Sequence, residues 1–167
     1  RVYTSFINSA DYGVPQIRKR FFFVGIRKEY EWLFPKKTHT PHQYITVEDA
    51  ILHDLPILDN NEEKNNYSKN PISKFQKLIR NNQSKLLNHK SPNHPIETIQ
   101  RIKQTKQGEP MYKSFRQRIR LSKDLPSPTQ ICGGIRPQFQ LGHPTQPRGL
   151  SIRERARIQT FPDNYFF

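Results

Sequence analysis

Gln16, Arg18 and Arg20 stand at alternate positions at the end of NSADYGVPQIRKR, residues 8–20. On an extended strand alternate residues share a face, so Arg18 and Arg20 would point one way and Lys19 the other. Guanidinium forks held like this can grip phosphate oxygens or the edge of a guanine. Arg116, Arg118 and Arg120 repeat the alternation further on. Residues 128–144, PTQICGGIRPQFQLGHP, set Thr129, Gln130, Arg136, Gln138 and Gln140 between turn residues. Polar side chains on such loops suit readout of base edges in a major groove, Arg for guanine and Gln for adenine. They equally suit an ordinary hairpin with polar tips. A further cluster, HPTQPRGLSIRERARIQTFPD at 143–163, carries Arg148, Ser151, Arg153, Glu154, Arg157 and Gln159.

The elements that must position these residues follow from local pattern. Val2 to Ile7 is β-rich, residues 10–15 form a turn with Asp and Gly, and Arg20 to Ile26 contains the apolar run Phe21-Phe22-Phe23-Val24. Residues 2–26 therefore read as a β-hairpin. A continuous apolar run implies a strand buried on both faces, and this chain offers little to bury it. Residues 46–55 form a helix candidate, capped by Thr46 with Asp49 three positions on, and stopped by Pro56. Residues 72–87 and 95–106 show helical spacing of apolar residues, the latter ending before Gly108. From Met111 to Leu141 short β-like pieces alternate with Pro and Gly turns. Ser151 and Glu154 make a capping box for a last helix running from Ile152 to Gln159 or Thr160, ending before Pro162.

Composition narrows the function classes. The net charge is +14 over 167 residues, with an apolar fraction of 33%. Residues 48–63 hold six acids and no Lys or Arg, whereas residues 64–123 hold fifteen Lys and Arg against Glu97 and Glu109, a net of +13. A block of this sign attracts polyanions by releasing their counterions. Lys and Asn in residues 60–90 also fit a solvated surface of AT-rich codon usage. No apolar run is long enough to span a membrane. The chain opens on Arg1 without a leader, as a piece of a longer polypeptide would. One cysteine, Cys132, excludes an internal disulfide framework and fits a reducing cytosol. His39 and His42 lack Cys or carboxylate neighbours, which argues against a zinc site. His89, His94 and His143, each beside a Pro-rich turn, read as turn or surface residues.

In this order, residues 8–20 and 143–163 resemble the two motifs that bracket the target-recognition region of the DNA (cytosine-5) methyltransferases. The first matches the family's Gln-x-Arg-x-Arg through Gln16, Arg18 and Arg20, with Asn8, Asp11, Tyr12, Gly13 and Pro15 also in place. The second is similar to Arg-x-Leu-Thr-x-Arg-Glu-x-Ala-Arg-x-Gln-x-Phe-Pro. It stands here as Arg148, Leu150, Ser151, Arg153, Glu154, Ala156, Arg157, Gln159, Phe161 and Pro162, serine keeping the cap. The match is close at both ends and weak across the middle.

The resemblance implies roles. Arg20 would contact O2 of an extruded cytosine and its phosphate, with Arg18 bracing the site. Attack on C6 pushes electron density onto the ring, and a fixed cation near O2 stabilises it. Gln16, Arg116, Arg118, Arg120, Thr129, Gln130, Arg136, Gln138 and Gln140 would face DNA. Arg153, Glu154 and Arg157 would be buried hydrogen-bonding residues of a scaffold that also includes Arg148, Ser151 and Gln159.

The implied fold is α+β: a β-hairpin remnant of a large-domain sheet (1–27), a loop-rich small target-recognition domain with its connector (28–145), and a closing motif with a short C-terminal helix (146–167). The family's Pro-Cys-Gln nucleophile loop, Gly-rich cofactor loop, Glu-Asn-Val triad and Gly-Asn-rich final motif have no counterpart here. Cys132, beside no general base, reads as a small buried or loop residue. The expectation is thus a fragment whose parent uses S-adenosyl-L-methionine. Alone it would bind no cofactor or metal and be inactive. Its partners would be double-stranded DNA and the missing catalytic part, in a bacterial, nucleoid-associated cytoplasmic setting. The alternatives are a non-catalytic DNA-binding subunit of a split or degenerate methyltransferase, and a general basic nucleic-acid binder with a chance match.

Overall fold

The computed structural model describes residues 1–131 and 141–167. Among these residues six strands and four α-helices alternate with long irregular connections. The strands are β1 (Val2–Asn8), β2 (Gln16–Ile17), β3 (Lys19–Gly25), β4 (Ile119–Arg120), β5 (Ser127–Pro128) and β6 (Leu141–Gly142). The helices are α1 (Val47–Ile51), α2 (Lys74–Arg80), α3 (Ile96–Gln104) and α4 (Ile152–Ile158). The fold is α+β, as expected, and among the described residues no helix is long and apolar enough to cross a membrane.

β1 and β3 pair antiparallel from Val2↔Gly25 to Asn8↔Lys19, which is the expected hairpin. Its turn is a 3-10 segment, Ser9–Tyr12, closed by Gly13 in the left-handed region at φ 82°. Glycine takes that φ without steric cost, and a Cβ there would also sit 2.9 Å from the His39 ring. The apolar run lies in β3, but it is not buried on both faces within this chain. Phe21, Phe22 and Phe23 are exposed, because the sheet has only two strands and no layer of the described residues covers it.

The core lies elsewhere. Val47, Ala50 and Ile51 of α1, at i, i+3 and i+4, pack with Phe75 and Ile79 of α2 and Ile158 of α4. Leu55, Leu86, Leu121, Leu141 and Leu150 complete the cluster from loops and short strands. Two parallel two-residue pairings cross-link the chain: β2 with β5, and β4 with β6. The first ties the turn that follows β1 to the segment just before the 132–140 stretch.

Two helical expectations are corrected in their extents. α1 is capped by Thr46 and Asp49 as expected, but it ends at Ile51, five residues before Pro56. Leu52 is extended and His53 left-handed at φ 77°, a turn that carries Asp54 inward. α2 is shorter than the 72–87 pattern, because Asn81 and Asn82 both take positive φ. Ile72 and Leu78 are left exposed, and Leu86 reaches the core from a loop. α3 buries only Ile102, and its following Gly108 is left-handed as an end signal should be.

Candidate nucleic-acid interface and its buried frame

α4 is built on charge. Ser151 Oγ accepts from the Glu154 amide, and the Glu154 carboxylate accepts from the Ser151 amide at 2.8 Å, closing the capping box. Arg148 donates to the same carboxylate through both terminal nitrogens, at 2.8 and 2.6 Å. Burial pushes the Glu154 carboxyl up, but the Arg148 guanidinium and the other charges facing it more than offset this and hold it below the usual range.

One turn on, Arg157 donates to Asp54 at 2.7 and 2.8 Å and to Asp163 at 3.0 and 2.6 Å. Burial would lower Arg157, yet hydrogen bonds to the two carboxylates hold its pKa above the ordinary value. Tyr67 donates its hydroxyl to Asp163, and burial followed by that carboxylate's charge raises the phenol. Arg153 spends its donors on the carbonyls of Leu87, Pro162 and Tyr165. Three buried arginines, Arg148, Arg153 and Arg157, thus face three buried carboxylates, Asp54, Glu154 and Asp163. The frame balances its own charge, which is the condition for keeping ions out of water. Arg153, Glu154 and Arg157 are buried, as the resemblance implied. Gln159 is exposed at the helix end.

The histidines correct the sequence reading. His89, His94 and His143 are buried, not turn or surface residues. His89 contacts Ser151 Oγ at 2.9 Å and the Pro56 carbonyl at 3.1 Å. A carbonyl only accepts, so Nε2 of His89 carries the proton and Nδ1 accepts from the serine. His94 Nε2 accepts from the Gly149 amide. His143 Nδ1 accepts from the Thr145 and Gln146 amides, so its proton is on Nε2. That nitrogen lies 3.5 Å from Glu154 Oε1, near enough for attraction but without hydrogen-bond geometry. Burial lowers all three, His143 to about 4. No sequence signal marked His89 or His94, because their partners lie 33 to 62 residues away, and the local amides that bond His143 do not reveal that Glu154 packs against it. Asp54, Asp163 and Tyr67 were missed for the same reason.

The expected DNA-facing residues divide. Arg116 is exposed, and Arg118 stacks on the Phe115 ring with its carbon 4.3 Å from the centroid. Arg120 is instead a clamp. It donates to the carbonyls of His143, Ile102, Lys103 and Thr105, and burial lowers its pKa. Gln16 is 2% exposed, with no hydrogen-bond partner for Nε2 among the described residues, so it offers DNA no surface here. Gln130 is also buried and exchanges hydrogen bonds with Arg155. Thr129 donates to the Ile17 carbonyl at 2.8 Å, reinforcing the β2–β5 pairing. Arg136, Gln138, Gln140 and Cys132 lie outside the described residues.

Arg18, Lys19 and Arg20 are all exposed. Arg18 falls in the break between β2 and β3, so strand alternation does not orient it. Its amide donates to Asn8 Oδ1 and its carbonyl accepts from the Ser9 amide, which fixes the backbone there. Arg20 opposes Ile7 in the ladder and donates to the Lys19 carbonyl at 2.7 Å. Behind them Asp11 is held by Lys37 at 2.8 Å and by the Tyr44 hydroxyl, and hydrogen bonds from those two groups keep its carboxyl below the usual range.

Comparison with known proteins agrees with these motifs. The family model for C-5 cytosine-specific DNA methylases matches residues 1–167. The type II methyltransferase M1.HphI of Haemophilus parahaemolyticus is 33% identical over 96% of this chain and 39% of its own length. M.DdeI of Desulfomicrobium norvegicum is 30% identical over 96% of this chain and 44% of its own. Among solved structures, a prophage-encoded protein of E. coli described as a DNA modification methyltransferase superposes with a TM-score of 0.74 at 26% identity. It covers 98% of this chain and 51% of that one. The chain therefore spans about two fifths of the length of these curated relatives, and it belongs to the C-5 cytosine-specific DNA methylase family.

Proposed function

We propose that this chain supplies the DNA-contacting and target-recognition part of a cytosine-5 methyltransferase, together with arginines that flank the reacting cytosine. The observation that carries it is the union of both family motifs on one body. The β2–β5 pairing and Thr129 join the strand end bearing Arg18 and Arg20 to the recognition segment, and Gln130 joins that segment to α4. In this reading the buried frame of α4 anchors Gln130, and the Ile17 carbonyl anchors Thr129, while exposed arginines face DNA. Arg20 takes the cytosine O2 and adjoining phosphate, and Arg18 braces the backbone.

S-adenosylmethionine, the methyl donor of the family, finds a poor match among the described residues. It carries sulfonium and ammonium charges. The cavity of about 580 Å³ beside α1 is edged by Lys64, Lys69 and Lys123. Its carboxylates are already paired, Glu48 with Lys123 and His53, and Glu154 with Arg148. The cavity of about 640 Å³ between the Gly13 turn and α2 presents no carboxylate. The donor and the nucleophile are assigned to a separate catalytic part, which would also cover the exposed phenylalanines of β3. Alone, the chain is then inactive.

The test is reconstitution. This chain is mixed with a polypeptide carrying the Pro-Cys-Gln loop and cofactor loop of a cytosine-5 methyltransferase, and methyl transfer to duplex DNA is followed. Transfer that needs both parts supports the reading. Transfer by this chain alone, or DNA binding that its presence does not change, overturns it.

A further inference from the structure

Residues 110–119 form a hairpin fastened at both ends. Pro110 bridges Ile119, the Met111 amide donates to the Arg118 carbonyl at 2.8 Å, and the Arg118 amide donates to the Phe115 carbonyl at 2.9 Å. Below it, the Arg120 clamp ties the strand to the carbonyls that end α3. A basic, aromatic tip, Tyr-Lys-Ser-Phe-Arg-Gln-Arg at residues 112–118, is thus set on a firm base.

The tip is arranged around two rings. Arg118 lies over Phe115 at 4.3 Å and nearer the rim of Tyr112 at 5.8 Å. Arg101 reaches from α3 to cover Tyr112 at 4.6 Å. Guanidinium planes on ring faces are attractive and also fix the rings in place. Phe115 nevertheless stays 40% exposed at the end of a loop that carries three cations and no acid between residues 112 and 118. Beside it lies a concavity of about 560 Å³ lined by Glu109, Pro110, Met111, Tyr112, Lys113 and Arg116.

Reading a paired duplex requires hydrogen-bonding side chains aimed at base edges, because the faces of paired bases are already stacked on one another. The exposed part of the Phe115 ring gains nothing from them. It gains from a base whose own face is free, and that combination of ring and flanking cations is the chemistry of unpaired-nucleotide sites. We propose that the 110–119 hairpin is a stacking platform for an unpaired nucleotide, with Phe115 taking the base face and Lys113 and Arg116 the neighbouring phosphates. Glu109 also lines the concavity, where its carboxylate can accept from a base amino group and would repel a phosphate. The proposal rests on the DNA reading above only in taking DNA as the polyanion.

The experiment measures the intact chain by fluorescence anisotropy against two labelled duplexes of the same sequence, one fully paired and one with two unpaired nucleotides looped out. The looped duplex should bind about tenfold more tightly or better. Phe115→Ala should erase that preference while leaving the paired duplex within twofold, and Phe115→Tyr should keep it. Arg116→Ala should weaken both duplexes together. Equal affinity of the unaltered chain for the two duplexes overturns the proposal, as does an equal loss on both from Phe115→Ala with an unchanged thermal melt. Binding to the paired duplex without preference leaves the recognition reading standing and removes only the platform. No binding to either removes both.

Discussion

Arg157 and Asp54 lie 103 residues apart in the chain and meet through two parallel hydrogen bonds, 2.7 and 2.8 Å long, with both side chains fully buried. Arg157 also holds Asp163, so one guanidinium joins the end of α1 to the turn after α4. This fork, together with the buried Ala156 and Ile158, fastens the closing helix to the core.

Arg157→Ala should therefore be among the most damaging single changes. It leaves Asp54 buried without its guanidinium and Asp163 with only the more distant Arg153, and breaking such a pair costs about 3–5 kcal/mol. Arg157→Lys should fare little better, since an ammonium cannot fork onto two carboxylates. Arg155→Ala, half-buried on the other face, is the comparison. Urea unfolding of the three variants is the measurement. A loss from Arg157→Ala no larger than that from Arg155→Ala would show that the fork holds nothing together.

Stability should fall on mild acidification. Burial keeps His143 at about 4 in the fold against 6.5 when free. Between those values the unfolded chain binds a proton that the folded chain refuses, so stability is full above pH 6.5 and declines toward pH 4. The slope from this residue alone is at most about 1.4 kcal/mol per pH unit. His89 and His94, also lowered by burial, act in the same direction. Glu154, held below the usual range, adds a further loss at still lower pH. Urea midpoints at pH 7, 6 and 5 check this, with His143→Gln expected to flatten the slope. Equal midpoints across that series would refute it.

Binding to mixed-sequence duplex DNA should be weak and strongly salt-dependent. With about four to six phosphates contacted, log K should fall with log salt at a slope of about −4 to −5. Arg116→Ala should make the slope shallower by about one, whereas Gln16→Ala, at a buried position, should leave it unchanged. An interaction insensitive to salt would argue against the basic block as the DNA surface.

Arg20→Ala, in a polypeptide that joins this chain to the catalytic part, should reduce methyl transfer far more than DNA binding. One donor lost from developing charge costs about 3 kcal/mol in the transition state, a hundredfold or more in rate. Lys19→Ala is the control and should do little. Equal, small effects of the two on the single-turnover rate would remove Arg20 from the reacting base.

The legible parts of the sequence were those with short-range rules. The Ser151–Glu154 capping box and the Pro162 stop depend on residues a few positions apart, the β1–β3 hairpin on strands within one 24-residue stretch, and each is present. Burial was legible only where a family pattern carried it, as for Arg153, Glu154 and Arg157. The histidines read as surface residues because nothing near them in the chain shows that Ser151, Gly149 or Glu154 will pack against them. The polar residues offered to DNA are the hardest case. Gln130 and Arg120 are chemically suited to base edges, and the same donors suit buried carbonyls. Local sequence does not say which partner wins. The early end of α1 belongs to the same class, since Asp54 is drawn inward by an arginine that the helix pattern knows nothing of.

The long reach of the Arg157–Asp54 pair also bears on how the chain is made. A ribosome adds about 5–20 residues per second, so Asp54 emerges roughly 5–20 s before its arginine. The β1–β3 hairpin can close at once, because both strands lie within the first 25 residues. The core must wait in an incomplete state, with a carboxylate in water and Val47, Ile51 and Phe75 without α4. A nascent chain stalled before residue 157 should thus show a formed hairpin and a protease-sensitive middle, and emergence of Arg157 and Asp163 should be the event that locks it.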